Sequence, residues 1–123
     1  MKKIILVVED DKALSEEISV NLGQAGFSVL VAVSVDEALA QMEKAPAIQA
    51  VWLDHNLIGN LTGLDFLGEL KINSKWKEIP VFVVTNTMDD DKIAEYQLLG
   101  IEKYFVKSTN TLANIVEDIK KTV

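Results

Sequence analysis

The chain has no cysteine and no arginine. Without cysteine, neither a disulfide framework nor a thiolate metal site can form. Without arginine, and at a net charge of -7, there is no basic face to neutralise phosphates. That argues against nucleic acid as a direct partner. It also excludes an arginine-rich dimer interface, although lysine–carboxylate pairs could serve one. No apolar run approaches the roughly 20 residues of a membrane span. Lys2 and Lys3 precede a run that is too short for a signal peptide and is interrupted by acids. Cytoplasmic location is the resulting expectation, with no membrane partner. Proline is scarce too, at two residues, and no linker or low-complexity stretch divides the 123 residues. One domain over 1–123 is therefore expected, with a core that removes roughly two-thirds of the unfolded surface from water.

What the sequence does have is apolar runs that end in chemistry. Ile4 to Val8 is followed by Glu9, Asp10 and Asp11. Five apolar residues in succession read as a strand buried on both faces. Ile48 to Leu53 ends in Asp54, Val81 to Val84 in Thr85, and Tyr104 to Val106 in Lys107. An acid cluster, an acid, a hydroxyl and an amine thus each close a strand.

Helix signals alternate with these strands. Leu14, Ile18 and Leu22 recur at i, i+4 and i+8, with Gly26 as a stop. Phe27 to Ala32 reads as a second strand. Ser34 and Glu37 have the spacing of a capping box for a helix running to Lys44, with Pro46 ending it. Gly59, Asn60 and Gly63 mark a loop over 56–63, after which Leu64, Leu67 and Leu70 mark a helix. Pro80 opens the fourth strand, and Asp89 to Asp91 suit the positive end of a fourth helix that Gly100 stops. Leu112, Ile115, Val116 and Ile119 give a last amphipathic helix. Five βα units imply a doubly wound parallel sheet with helices on both faces. The expected order is the flavodoxin-like 2-1-3-4-5.

That order brings Glu9 and Asp10 beside Asp54. Carboxylates so close disfavour one another's charge unless a cation joins them. A hard divalent ion suits oxygen donors, and Mg²⁺ in particular takes one or two carboxylates, waters and phosphate oxygens. Lys107 adds a point charge on a long arm and Thr85 a hydroxyl. These are the parts that phosphoryl transfer needs, with Asp54 as the acceptor forming an aspartyl phosphate.

With Ile-Leu-Val-Val-Glu-Asp-Asp at the start, then Leu-Asp-His-Asn-Leu, Val-Val-Thr-Asn and Lys-Tyr-Phe-Val-Lys, the chain resembles a response regulator receiver domain of two-component signalling, of the chemotaxis-regulator kind. The resemblance implies that Asp54 accepts phosphoryl from a sensor histidine kinase or phosphotransfer protein. It implies that Asp10 ligates Mg²⁺ directly, Glu9 mainly through water, and Asn56 through its backbone carbonyl. Thr85 would hydrogen-bond the phosphoryl group and Lys107 would pair with it. Tyr104 matches the aromatic that swings inward as the threonine moves. The output surface would be helix 4, strand 5 and helix 5, roughly Asp89 to Val123, facing an unknown downstream protein. The protein would be a monomer or a phosphorylation-promoted dimer. It would not be an enzyme beyond self-phosphorylation and slow autodephosphorylation.

Three positions depart from the family pattern. Ser108 stands where a proline usually follows the lysine. Ile58 takes a proline place, in a loop through Gly63 that is one residue longer. Asn86 follows the threonine where a small residue is usual. These departures motivate an alternative, a phosphorylation-independent docking module. A magnesium-dependent phosphatase would need a cap domain and a general acid near Asp54. A flavin carrier would need a first loop of N–H and hydroxyl groups, which Glu9-Asp10-Asp11 does not provide. His55 alternates away from Asp54 and reads as a loop or surface histidine. Trp52 and Trp76 read as packing residues, and Asp11 by itself as a helix N-cap.

Overall fold

The computed structural model describes residues 2–45 and 47–123. Five strands and five α-helices alternate: β1 Ile4–Val8, α1 Lys12–Gln24, β2 Ser28–Ala32, α2 Val35–Lys44, β3 Ile48–Leu53, α3 Gly63–Ile72, β4 Val81–Thr85, α4 Asp90–Leu99, β5 Lys103–Val106 and α5 Leu112–Thr122. A single 3-10 turn, Lys107–Thr109, follows β5. The sheet is parallel throughout, in the order β2-β1-β3-β4-β5. The expected stop at Pro46 lies outside the described residues, and α2 itself ends at Lys44.

Alternation along the strands sorts the core into two layers. Ile5, Val7, Trp52, Phe82 and Val84 pack with Ile18 and Leu22 of α1 and with Ile115 and Ile119 of α5. Leu6, Val8, Val51, Leu53 and Val83 pack on the other face, against α2, Phe66 and Leu67 of α3, and Tyr96 of α4. β1 and the Ala50–Leu53 part of β3 are covered on both sides, which is why they are continuous apolar runs rather than alternating ones, while Gln49 near the start of β3 is exposed. Trp52 is fully buried, and its indole N–H has no hydrogen-bond partner. Trp76 is a partly buried packing residue on the opposite face.

The helix starts follow local chemistry. Asp11 caps α1 by accepting from the Leu14 N–H at 3.0 Å, and Asp89 caps α4 by accepting from the Asp91 N–H at 2.9 Å. Ser34 caps α2, accepting from the Glu37 N–H at 3.2 Å. Glu37 reaches back one residue further than a capping box requires, accepting from the Val33 N–H at 3.4 Å. β2 begins at Ser28 rather than Phe27. The Phe27 N–H is used by the Leu22 carbonyl at the end of α1, so it cannot join the ladder. Gly100 ends α4 at φ 101°, a conformation that favours glycine.

The chain runs from β1 to β2 in one direction and from β2 to β3 back across β1. The C-terminal ends of β1 and β3 therefore flank a topological switch point, where open α/β sheets bind ligands.

Candidate functional site

The acids that close β1 and β3 meet at that switch point. The Glu9 N–H bonds to the Ala32 carbonyl and the Asp54 N–H to the Val8 carbonyl, at 2.9 and 3.0 Å. Each backbone is thus held by the ladder just past its strand. Glu9 and Asp54 are buried, and Asp10 is half-buried. One carboxylate oxygen from each of Glu9, Asp10 and Asp54 lies within 4.8 Å of the others. Three carboxylates with no sulfur or imidazole donor form a hard oxygen set, which could hold a divalent metal ion.

Lys107 comes in from the far side of the sheet. β5 pairs with β4 as far as Thr85 and Val106, so Lys107 starts just beyond the last rung. Its Nζ reaches Glu9 Oε1 at 2.6 Å and Asp54 Oδ2 at 2.9 Å. With Ser108 in place of proline, Lys107 precedes a trans bond, as does every other described residue, and its arm still spans both acids. Burial pushes the Glu9 carboxyl up to about 7, against the pull of Lys107 and reinforced by Asp54. Burial works to lower the Lys107 amine, but its bonds to Glu9 and Asp54 outweigh that and hold it above its ordinary value.

Thr85 is buried at the end of β4, where its Oγ1 accepts from the Thr87 N–H at 3.4 Å. Asn56, two residues past Asp54, is exposed, and its side-chain amide approaches Thr87 Oγ1 at 3.5 Å. Tyr104 is half-buried, and its hydroxyl donates to the Thr87 carbonyl at 2.5 Å. The structure thus brings Glu9, Asp10, Asp54 and Lys107 into one cluster. Thr85, Asn56 and Tyr104 are drawn to a second centre at Thr87, in the loop before α4.

His55 lies in the loop that follows β3, one of the two places the sequence suggests, but it is not at the surface. It does alternate away from Asp54, but the opposite face is covered by α4, and His55 is only 8% exposed. Its Nδ1 shares a hydrogen bond with the Tyr96 hydroxyl at 2.7 Å. Burial, with Lys92 nearby, lowers its pKa, so the imidazole is neutral at pH 7. Tyr96 is the one buried residue of α4 and meets Tyr104 edge-on, with ring centroids 5.9 Å apart. Sequence reasoning missed Tyr96. Its only signal was being the sole aromatic on a helix whose apolar residues form no clear stripe.

Gly63 makes room for this contact. A Cβ there would lie 2.5 Å from both the Asp54 carbonyl and the Tyr96 hydroxyl. Gly63→Ala is expected to cost roughly 1–3 kcal/mol by overpacking. Gly68, on the same helix, has nothing within 4 Å of a built Cβ. Gly68→Ala is expected to gain about 0.5–1 kcal/mol of helix propensity. Urea unfolding of both variants checks the opposite signs. Equal effects would remove the close contact as the cause.

The family model described as the response regulator receiver domain matches residues 5–120. Response regulator Rcp1 of Synechocystis sp. is 33% identical over 117 residues, covering 88% of this chain and 78% of that protein. The phosphate regulon transcriptional regulatory protein PhoB of Escherichia coli is 31% identical over 107 residues, covering 87% of this chain and 46% of that protein. The chain thus spans about half the length of PhoB. Among solved structures, chemotaxis protein CheY4 of Vibrio cholerae superposes with a TM-score of 0.88 at 24% identity, covering 100% of both chains. The Mn²⁺-bound form of Rcp1 superposes with a TM-score of 0.84 at 29% identity, covering 97% of this chain and 92% of that one.

Proposed function

Because the chain belongs to the response regulator receiver domain family of two-component signalling, we propose that it is a phosphoacceptor switch in which Asp54 takes a phosphoryl group in a Mg²⁺-dependent reaction. The observation that carries this reading is the buried Asp54 carboxylate held by Lys107 at 2.9 Å inside a three-carboxylate cluster. Buried like charges of this kind are costly as a purely structural device. They suit a site that receives cations and phosphate.

The donor is a phosphohistidine of a sensor kinase or phosphotransfer protein, or a small acyl phosphate. An Asp54 carboxylate oxygen forms the new P–O bond as the donor's bond to phosphorus breaks, P–N in a phosphohistidine and P–O in an acyl phosphate, whose carboxylate leaves with the bonding pair. In the phosphohistidine case the imidazole leaves with the bonding pair and takes a proton from solvent. Lys107 neutralises charge on the phosphoryl oxygens, and the Thr85 hydroxyl donates to them. Glu9, Asp10, Asp54 and the Asn56 carbonyl would hold the metal ion, and oxygen donors of this kind suit Mg²⁺. Once bound, the ion supplies further neutralisation of the phosphoryl oxygens. The Mn²⁺-bound form of Rcp1, a relative of this chain, supports a divalent site. Slow loss of phosphate to water completes the cycle, without turnover of any other substrate.

Phosphorylation adds a charge of about -1.5 to -2 at Asp54. Drawing Thr85 toward that charge disturbs the Thr87 centre to which Tyr104 is bonded, and Tyr104 moves into the space Thr85 leaves. The response reaches the α4–β5–α5 face as a shift between two packings, for a downstream protein to read. Among the described residues no helix is long and apolar enough to cross a membrane, consistent with a cytoplasmic site of action.

The test is intact mass after incubation with acetyl phosphate. One added phosphoryl group is expected with Mg²⁺, and none with a chelator or in Asp54→Asn. No adduct, together with no Mg²⁺ binding by titration, would favour the docking module instead.

A further inference from the structure

Lys107 lies where backbone pairing stops, because the β4–β5 ladder ends at Thr85 and Val106. Side chains hold the chain from there. The Ser108 N–H donates to Asn86 Oδ1 at 3.0 Å. On the other side of Lys107, the Val106 carbonyl accepts from Asn110 Nδ2 at 2.9 Å and from Thr109 Oγ1 at 3.3 Å. Lys107 is thus gripped through the carbonyl before it and the amide after it. Its amine stands at the end of a flexible four-carbon arm, so where that amine can rest depends on this backbone.

From this geometry we infer that Asn86 is a positioning residue for phosphoryl transfer: through the Ser108 amide it fixes the backbone of Lys107 and so the place of the Lys107 amine between Glu9 and Asp54. The inference rests on the phosphoacceptor reading for its role in the reaction. Two of the departures seen in the sequence become one contact. Ser108 carries an N–H that a proline lacks, and Asn86 carries the acceptor for it. The competing role for Asn86 is steric, as a bulky side chain that restricts access to Asp54. The two roles predict opposite signs, because removing a latch slows the reaction and removing a gate speeds it.

The experiment measures initial rates of phosphoryl incorporation from acetyl phosphate at saturating Mg²⁺. Asn86→Ala removes both acceptor and bulk, whereas Asn86→Leu removes the acceptor and keeps the bulk. Ser108→Pro removes the donor, alone and together with Asn86→Ala. The Lys107 Nζ resonance, assigned by its loss in Lys107→Ala, is followed in each variant by lysine ¹⁵N spectroscopy. Both Asn86 variants are expected to slow incorporation by roughly three- to tenfold, the worth of one hydrogen bond of this kind. Ser108→Pro is expected to slow the wild type but to add little to Asn86→Ala, as two halves of one contact should. The Lys107 resonance is expected to move in every slowed variant.

A faster Asn86→Ala with an unslowed Asn86→Leu overturns the latch in favour of the gate. Unchanged rates with an unmoved Lys107 resonance overturn it as well. If the wild type takes up no phosphoryl group, the phosphoacceptor reading fails, and the Lys107 resonance alone decides the positioning. A shift in Asn86→Ala upholds it, and no shift overturns it.

Discussion

Replacing Lys107 with alanine is expected to slow phosphoryl incorporation at Asp54 by about 100- to 1,000-fold under saturating Mg²⁺, the usual cost of losing one preorganised charge-stabilising donor. Lys107 is the only cation whose side chain bonds to Glu9 and Asp54 among the described residues. Its amine sits 2.9 Å from the carboxylate that becomes the acyl phosphate. In the ground state it spreads one positive charge over two acids. In the transition state the developing charge lies on the phosphoryl oxygens, where that amine is already oriented. Loss of Lys107 also strips the compensating charge from two buried carboxylates, which costs about 3–5 kcal/mol when a buried pair is broken. The metal-free variant should therefore melt earlier than wild type, and Mg²⁺ should recover part of the difference. Rates read by intact mass separate the two effects, because folded variant at saturating Mg²⁺ still lacks the donor. A rate within threefold of wild type would remove Lys107 from the reaction.

Glu9→Gln is expected to stabilise the metal-free protein by about 3 kcal/mol at pH 8 and to do little at pH 4. The Glu9 carboxyl is raised from 4.5 to about 7 in the folded chain. A carboxyl raised on folding binds its proton more tightly in the native state. Its contribution is therefore full below about pH 4.5 and is lost as pH rises through about 7. Other carboxylates give the wild type its own acid sensitivity, so the quantity to follow is the stability difference between the two proteins in chelator. That difference should grow between pH 4.5 and 7 and then level off. A difference that does not vary with pH would mean that Glu9 carries no strained charge. Mg²⁺ should narrow the gap at pH 8, because it stabilises only the protein that keeps all three acids.

Much of this was legible in the sequence because the informative strands are buried on both faces. β1 and β3 begin and end where the apolar runs Ile4–Val8 and Ile48–Leu53 do. A residue that closes such a run must face the switch point, so Glu9, Asp10 and Asp54 could be placed from strand order alone. Lys107 was placed in the same way, at the end of the edge strand. Asp11 and Asp89 announced themselves as helix caps by local chemistry.

What could not be read depends on what covers a face. Alternation correctly turned His55 away from Asp54, but nothing local says that Tyr96 of α4 seals that side. Gly63 read as a loop residue, yet it opens α3, and the reason it must lack a side chain lies 33 positions further along at Tyr96. Asn86 and Ser108 each read as departures from a pattern. Only the fold makes them donor and acceptor of one hydrogen bond. Phe27 was lost from β2 because the end of α1 takes its N–H, a competition that apolar patterning does not record.

If Asp54 is the phosphoacceptor, its phosphorylated form can be trapped chemically. The protein is phosphorylated with acetyl phosphate and Mg²⁺, reduced with borohydride, digested and sequenced by mass. Reduction converts an aspartyl phosphate to homoserine at the position that carried it. Homoserine is expected at position 54 and nowhere else. Modification at Glu9, Asp10 or His55 instead, or an unreduced position 54 in protein that carries the phosphoryl group, would contradict Asp54 as the phosphoacceptor.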